Sequence, residues 1–211
     1  MSEPAPRRLL YVLDRFPSDT LNFVYNEIRA LEDEGFAIDI VSLMPAVSVP
    51  EEARDFLSRT SNLRPLSARE LIGAFLHYLL RRPLTLLGLM IRVPLDNDSP
   101  RKGLKSLAHL AVGVAFAHRM RNRREPIHAH FAFKACLAAL CASRLNGNPY
   151  SFTAHGSATV YPPSRYSLAS KLRGAAFVVA VSDYNARVIR ELCPELTADR
   201  ILVNRTGIRL A

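Results

Sequence analysis

The chain has 211 residues, the length of one domain or a little more. Hydrophobic residues make up 49% and charged ones 22%, a balance that excludes a long disordered tail or a fibrous repeat. A net charge of +9 favours phosphate-rich partners or an anionic membrane surface, and three irregularly spaced cysteines exclude a disulfide framework and fit a reducing cytoplasm.

Arg7-Arg8 and the apolar run Leu9 to Leu13 are too short for a signal-peptide core and are closed by Asp14 and Arg15. Arg8 to Leu13 reads instead as a buried strand. A loop from Asp14 to Asp19 follows, and Thr20 is placed to cap a helix over Leu21 to Glu34, with Phe23, Val24, Ile28 and Leu31 on one face. Gly35 stands where a helix-ending glycine is expected, and Ala37 to Leu43 is a second short strand rich in branched residues. This β-α-β opening predicts a parallel sheet with crossover helices.

From Glu51 to Arg124 the periodicity is helical, over Glu51–Arg59, Ala68–Leu80, Leu84–Arg92 and Gly103–Arg124, with a turn-rich break at Leu95 to Arg101. Leu71 to Val93 is the most membrane-like stretch. His77, Arg81-Arg82-Pro83 and Arg92 interrupt it, so two amphipathic helices meeting at Pro83 are expected rather than a spanning helix. Alternation resumes with a strand at Ile127–His130, a helix at Ala132–Leu145 stopped by Gly147, strands at Tyr150–Ala154 and Ala176–Val181, a helix from Ser182 through Leu192, and a last strand at Arg200–Asn204. The fold expected is α/β: a Rossmann-like, doubly wound parallel sheet in one domain over 1–211, with a helical insertion at about 51–124.

Ligands of such sheets bind beyond the carboxyl ends of the strands. Asp14–Asn22, His130–Lys134, His155–Ser157, Ser182–Asp183 and Asn204–Gly207 are therefore the segments to consider. The first of these has no glycine-rich dinucleotide fingerprint and the chain has no P-loop, which disfavours NAD or FAD there. Ser18, Thr20 and Asn22 offer a polar helix start, as a cap or for a polar ligand. His128 and His130 share one face of their strand, yet no Cys, Asp or Glu follows them at ligand spacing, so no metal is expected. His130 and Phe131, ending that strand, are the better candidates to face the crevice. His155, between a strand and Gly156, can hydrogen-bond a sugar hydroxyl or move a proton near neutral pH. Ser182 caps the next helix and borders the crevice.

Basic residues concentrate between Arg101 and Arg124: Arg101, Lys102, Lys105, Arg119, Arg121, Arg123 and Arg124, with no acid among them. Leu104, Leu107, Leu110, Val114 and Phe116 supply an apolar component. Such a helix suits an anionic lipid surface or a lipid-pyrophosphate acceptor, or is a solvated basic face; no nucleic-acid-binding motif accompanies the charge.

Four segments in order resemble one family. Phe16-Pro17, Thr20 to Leu31 and Gly35 are similar to an F-P-x-x-S-E-T-F-I-x-x-E-I-x-x-L…G pattern, with Leu21 and Asn22 in place of the acid and threonine. Ile127-His128-Ala129-His130-Phe131-Ala132 resembles H-x-H-F-A, and Pro149 to Gly156 resembles P-Y-S-F-T-A-H-[AG]. Val179-Ala180-Val181-Ser182-Asp183-Tyr184-Asn185 is similar to a V-x-V-S strand-to-helix turn. Together they resemble the N-terminal domain of family 4 glycosyltransferases, GT-B enzymes of bacterial exopolysaccharide and lipopolysaccharide assembly.

The resemblance implies retaining transfer of a sugar from a nucleotide-sugar donor to a glycan or lipid-linked acceptor, without an obligatory metal. It implies that His155 touches the transferred sugar and that Thr20, Asn22, His130, Phe131 and Ser182 line the acceptor side. The family's donor site lies on a second domain with an E-x7-E pair of glutamates. That domain is absent from these 211 residues, so a truncated product, inactive alone, or one half of a separately encoded pair is expected. A cytoplasmic protein, peripheral at the inner membrane, fits this reading. Ala158 and Arg209 stand where the family has acids.

Overall fold

The structure is a computed structural model that describes residues 7–156 and 166–205. Ser157, Ala158, Thr206, Gly207 and Arg209 lie outside the described residues. Strand β1 (Arg7–Arg15) leads to α1 (Asn22–Asp33) and β2 (Phe36–Met44), as the opening pattern predicts. A 3-10 turn at Glu51–Ala53, α2 (Asp55–Arg59) and β3 (Thr60–Asn62) follow, then α3 (Ala68–Arg81), α4 (Pro83–Leu95) and α5 (Pro100–Arg119). The last part alternates: β4 (Ile127–His130), α6 (Lys134–Asn146), β5 (Tyr150–Ala154), α7 (Leu168–Gly174), β6 (Phe177–Ala180), α8 (Asp183–Leu192) and β7 (Ile201–Val203).

The strands form one parallel sheet in the order β3-β2-β1-β4-β5-β6-β7. This is the Rossmann-like, doubly wound arrangement, with its switch point between β1 and β4. Alternation along β1 sends Leu10 and Val12 into the larger core, with α5 and α6, and Tyr11 and Leu13 into a second core with Val24, Tyr25 and Ile28 of α1. All residues of β4 and β5 are buried, as helices on both faces require.

Four expectations need correction. Thr20 does not cap α1: Leu21 occupies that position without a side-chain bond, because the turn is held by the Tyr25 hydroxyl, which accepts from Ser18 N–H and donates to Ser18 O, both at 2.7 Å. Thr60–Asn62, within the stretch expected to be helical, is an edge strand on β2. The helix predicted over Gly103–Arg124 stops at Arg119, since the chain must turn to enter β4, where Pro126 O accepts from Leu10 N at 2.9 Å. Leu104 also leaves the expected apolar face and is 72% exposed. The buried face of α5 runs through Gly103, Ser106, Leu110 and Val114, and Leu104 is about 100° away from it.

Helices α5 and α6 touch nearly backbone to backbone. A Cβ on Gly113 would stand 2.7 Å from Cys141 Sγ and 3.4 Å from the Ala138 Cα. Gly113→Val is therefore expected to destabilise the domain by about 1–3 kcal/mol through overpacking. Urea unfolding of Gly113→Val and of Gly113→Val/Cys141→Ala checks this, the second change recovering at least half of the loss.

Candidate functional site

The switch point is tied together across the sheet. Asp14, at the end of β1, accepts from Ala135 N at 2.5 Å and so caps α6. Burial raises the Asp14 pKa, opposed by that bond and by Lys134 and Lys171. Lys171 is itself buried, and its ammonium donates to Ala132 O at 2.8 Å and Tyr166 O at 2.6 Å. These bonds pin the chain that leaves β4.

Phe131, the first residue of that exit, has φ of +65°. This left-handed backbone costs a non-glycine residue on the order of 1 kcal/mol and turns the ring toward the end of β5. There the centroid of Phe131 stands 4.4 Å from that of His155, and Phe23 of α1 stands 4.7 Å from it. Phe23 and Phe131 also meet edge to face, 6.2 Å apart, so His155 packs against a corner of two aromatic rings while remaining partly accessible. Burial pushes its pKa down to about 4, with His130 adding to the shift and Glu27 opposing it, so the ring is neutral at physiological pH.

Behind His155 lies a polar cluster inside the sheet. His128 is buried, with Nδ1 at 2.8 Å from Ser151 Oγ and Nε2 at 3.0 Å from Thr153 Oγ1. Parallel pairing of β4 with β5 sets these hydroxyls beside the ring. Burial lowers the His128 pKa to about 3. His130, two residues on, also points to α1, where Glu27 Oε1 stands 3.4 Å from its Nε2. Glu27 accepts from the Tyr11 hydroxyl at 2.5 Å. Burial would raise the Glu27 pKa, but His130, His128 and Tyr11 hold it at about 2.

The expected site residues divide accordingly. His155 and Phe131 stand together at the strand ends. His130 is fully buried, so it lies behind His155 rather than facing the crevice, because the same alternation that aligns it with His128 turns it under α1. Thr20 and Asn22 are exposed beside Phe23 at the start of α1. Ser182 caps α8, accepting from Asn185 N at 3.1 Å, one strand beyond His155. Among the described residues no contact joins Ser182 to His155. Tyr11 and Glu27 were not foreseen as site residues; Glu27 lies one helical turn after Phe23 but about a hundred residues before its histidine partners, so no local spacing announces it.

That carboxylate also changes the metal argument. Glu27, His128 and His130 bring ligand atoms within 4.8 Å of one another, although no acid follows the histidines in sequence. Both nitrogens of His128 and one oxygen of Glu27 already hold hydroxyl groups, so a cation would have to displace these bonds. His130 Nε2, by contrast, has no hydrogen-bond partner among the described residues.

No protein-family description matches the chain and no curated protein matches it significantly. Among solved structures it is similar to a putative UDP-N-acetylglucosamine 2-epimerase from Listeria monocytogenes, with a TM-score of 0.55, 9% identity, and coverage of 93% of this chain and 44% of that one. MurG of Acinetobacter baumannii aligns with a TM-score of 0.49 and 12% identity, over 97% of this chain and 46% of that one. The chain therefore spans less than half the length of these two structures. The likeness to the first shows the fold, a Rossmann-like α/β domain of the GT-B type.

The buried groups set a pH dependence. The folded pKa of His128, about 3, lies below the unfolded value near 6.5, so between these the unfolded chain binds more protons. This contribution to stability is complete above about pH 6.5 and is lost as pH falls toward 3, at about 1.4 kcal/mol per pH unit. Glu27, lowered to about 2, adds a further loss below about pH 4.5. Urea unfolding from pH 7 to 4 should show this slope, and His128→Asn should make it shallower by about 1.4 kcal/mol per unit. An unchanged slope in the variant contradicts the assignment.

Proposed function

We propose that this chain is the acceptor-binding domain of a retaining glycosyltransferase that moves a sugar from a nucleotide-sugar donor to a glycan or lipid-linked acceptor. It acts with a second, donor-binding domain, in the same or another polypeptide, and needs no metal or resident cofactor. What carries the reading is His155: a neutral, partly accessible imidazole at a strand end, flanked by Phe23 and Phe131. Aromatic faces beside a hydrogen-bonding ring suit a sugar, whose C–H faces are apolar and whose rim is hydroxylated. The structural neighbour from Listeria, named for a UDP-sugar substrate, adds support for the substrate class. Thr20, Asn22, Phe131 and Ser182 border the acceptor side, with His130 behind them.

The test uses the natural gene product together with its donor domain, a panel of nucleotide sugars and extracted lipid-linked acceptors. Transfer of labelled sugar is expected, and His155→Ala should lower kcat/KM by at least about tenfold while the protein stays folded. No transfer from any donor, or an unaffected His155→Ala variant, overturns the reading.

A second observation favours an acceptor held at an anionic membrane, on its cytoplasmic side. Among the described residues no helix is long and apolar enough to cross a membrane. Ile72, Leu76, Leu79 and Leu80 of α3, and Leu84, Leu87, Ile91 and Leu95 of α4, form exposed stripes, with Leu80 and Leu84 82% and 84% exposed. The stripes meet beside a concavity of about 810 Å³ lined by Arg81, Arg82, Arg121 and Arg124, with His77 and His118. Apolar side chains next to unbalanced cations suit an anionic lipid surface. The basic run Arg101–Arg124 contributes less than expected, because Lys102 pairs with Asp98 and Arg119 with Glu70, both at 2.7 Å, and Arg123 pairs with Asp39 and Glu125.

The chain should sediment with vesicles containing anionic phospholipid at low salt and be released by high salt. Leu80→Asp/Leu84→Asp should cut binding at least about tenfold without affecting folding. Equal binding to neutral vesicles, no binding at low salt, or a stable dimer that shields both leucines overturns it.

A further inference from the structure

Three side chains from α1, β4 and the end of β5 stand in line. Glu27 Oε1 is 3.4 Å from His130 Nε2, and His130 Nδ1 is 3.4 Å from His155 Nε2. Among the described residues, His130 Nε2 is buried with no hydrogen-bond partner, its contact with Glu27 being an ion-pair approach, and no hydrogen bond is made by His155 Nδ1. We propose that Glu27 and His130 are positioning residues that fix His155 as the Nε2-protonated tautomer, so that its Nδ1 meets the ligand as a hydrogen-bond acceptor. The inference rests on the reading above that His155 contacts the sugar, and it names what that contact selects.

An ionised carboxylate accepts and cannot donate, and Glu27 is held in its charged form. Were His130, carrying a single ring proton, to turn its bare nitrogen toward Glu27, it would set a lone pair against a negative charge. With Nε2–H toward Glu27 it meets an acceptor instead, which leaves Nδ1 bare. That nitrogen in turn requires a proton from its neighbour, and His155 supplies it from Nε2. The remaining nitrogen of His155, Nδ1, is then bare.

His128 does not enter this line although its ring centroid is 5.1 Å from that of His130, because Ser151 and Thr153 occupy both of its nitrogens. The Tyr11 hydroxyl likewise spends its proton on Glu27. A bare Nδ1 takes a hydrogen bond from a hydroxyl of the ligand and rejects a carbonyl or phosphate oxygen at the same place. The site so arranged selects a hydroxyl, the group a sugar supplies, at the end of β5.

The test is a long-range proton–nitrogen spectrum of the histidine side chains in the full chain at pH 8, above the range in which imidazoles ordinarily titrate. His155 is expected with a protonated Nε2 and a bare Nδ1; a protonated Nδ1 overturns the proposal without recourse to any variant. In Glu27→Gln the amide can face His130 with either a donor or an acceptor, so the minor tautomer of His155 should rise from under about a tenth to about half. A variant that folds and keeps the wild-type pattern also overturns it. Tyr11→Phe leaves the line of three intact and should leave the tautomer unchanged; a tautomer that follows Tyr11 instead of Glu27 overturns the assignment. An inactive enzyme, or an active one indifferent to His155→Ala, defeats the functional reading and leaves these spectra as they are, so the two failures are told apart.

Discussion

Burying His128 and His130 on one face of a central parallel strand removes both rings from water. An unpaired buried nitrogen costs on the order of 1–3 kcal/mol, so each ring must meet polar groups inside the protein. The neighbouring strand provides two hydroxyls, Ser151 and Thr153, which enclose His128. For His130 no such pair remains on β5: His155 meets its Nδ1, and its Nε2 has the Glu27 carboxylate at 3.4 Å without a hydrogen bond. That requirement reaches well beyond β4. It fixes which face of α1 lies against the sheet, and with it where Phe23 stands.

The placement of α1 then shapes the crevice. One turn before Glu27, Phe23 is carried onto the His155 ring, while Tyr25 reaches back to clamp both backbone groups of Ser18. The adjoining wall depends on Phe131, whose left-handed backbone is tolerated because Phe131 N donates to Thr153 O at 3.0 Å and the next residue, Ala132, is held by Lys171. A single accessible imidazole is thus supported by elements distant in sequence. Polar burial and the aromatic box are two sides of one packing solution.

Much of this fold is legible in the sequence because its signals are local. Short branched runs such as Ala37 to Leu43 and Tyr150 to Ala154 mark strands, and Gly147, with φ of +87°, ends α6 where expected. What is not legible depends on distant partners or on segments too short to show a period. Strand β3 has three residues and exists through its pairing with β2. Helix α7, seven residues long, has only Leu168, Lys171 and Leu172 buried, too few to set a helical pattern. Thr20 offers a sound local cap, yet the Tyr25 hydroxyl organises that turn from within the helix. The site divides the same way: His155 is visible from its place after a strand, whereas Glu27 gains its meaning only when β1, α1 and β4 are brought together.

The charge distribution obeys a related logic. Helices α3, α5 and α6 end in one region, away from the strand ends that carry His155, and helix C-termini carry partial negative charge. Arg81, His118, Arg119 and Arg144 lie in their last turns, as that field favours. Three helix ends amount to roughly one and a half negative charges, and Arg121 and Arg124 donate to carbonyl oxygens there, at His118 and Arg121 respectively. Helix dipoles thus account for some of these cations, and Glu70 accounts for Arg119. They do not account for Arg82, which is exposed in the link between α3 and α4, or for the leucines on either side of it. A helix end needs a cation but has no use for an exposed apolar stripe, and it is this combination that separates the α3–α4 surface from ordinary capping.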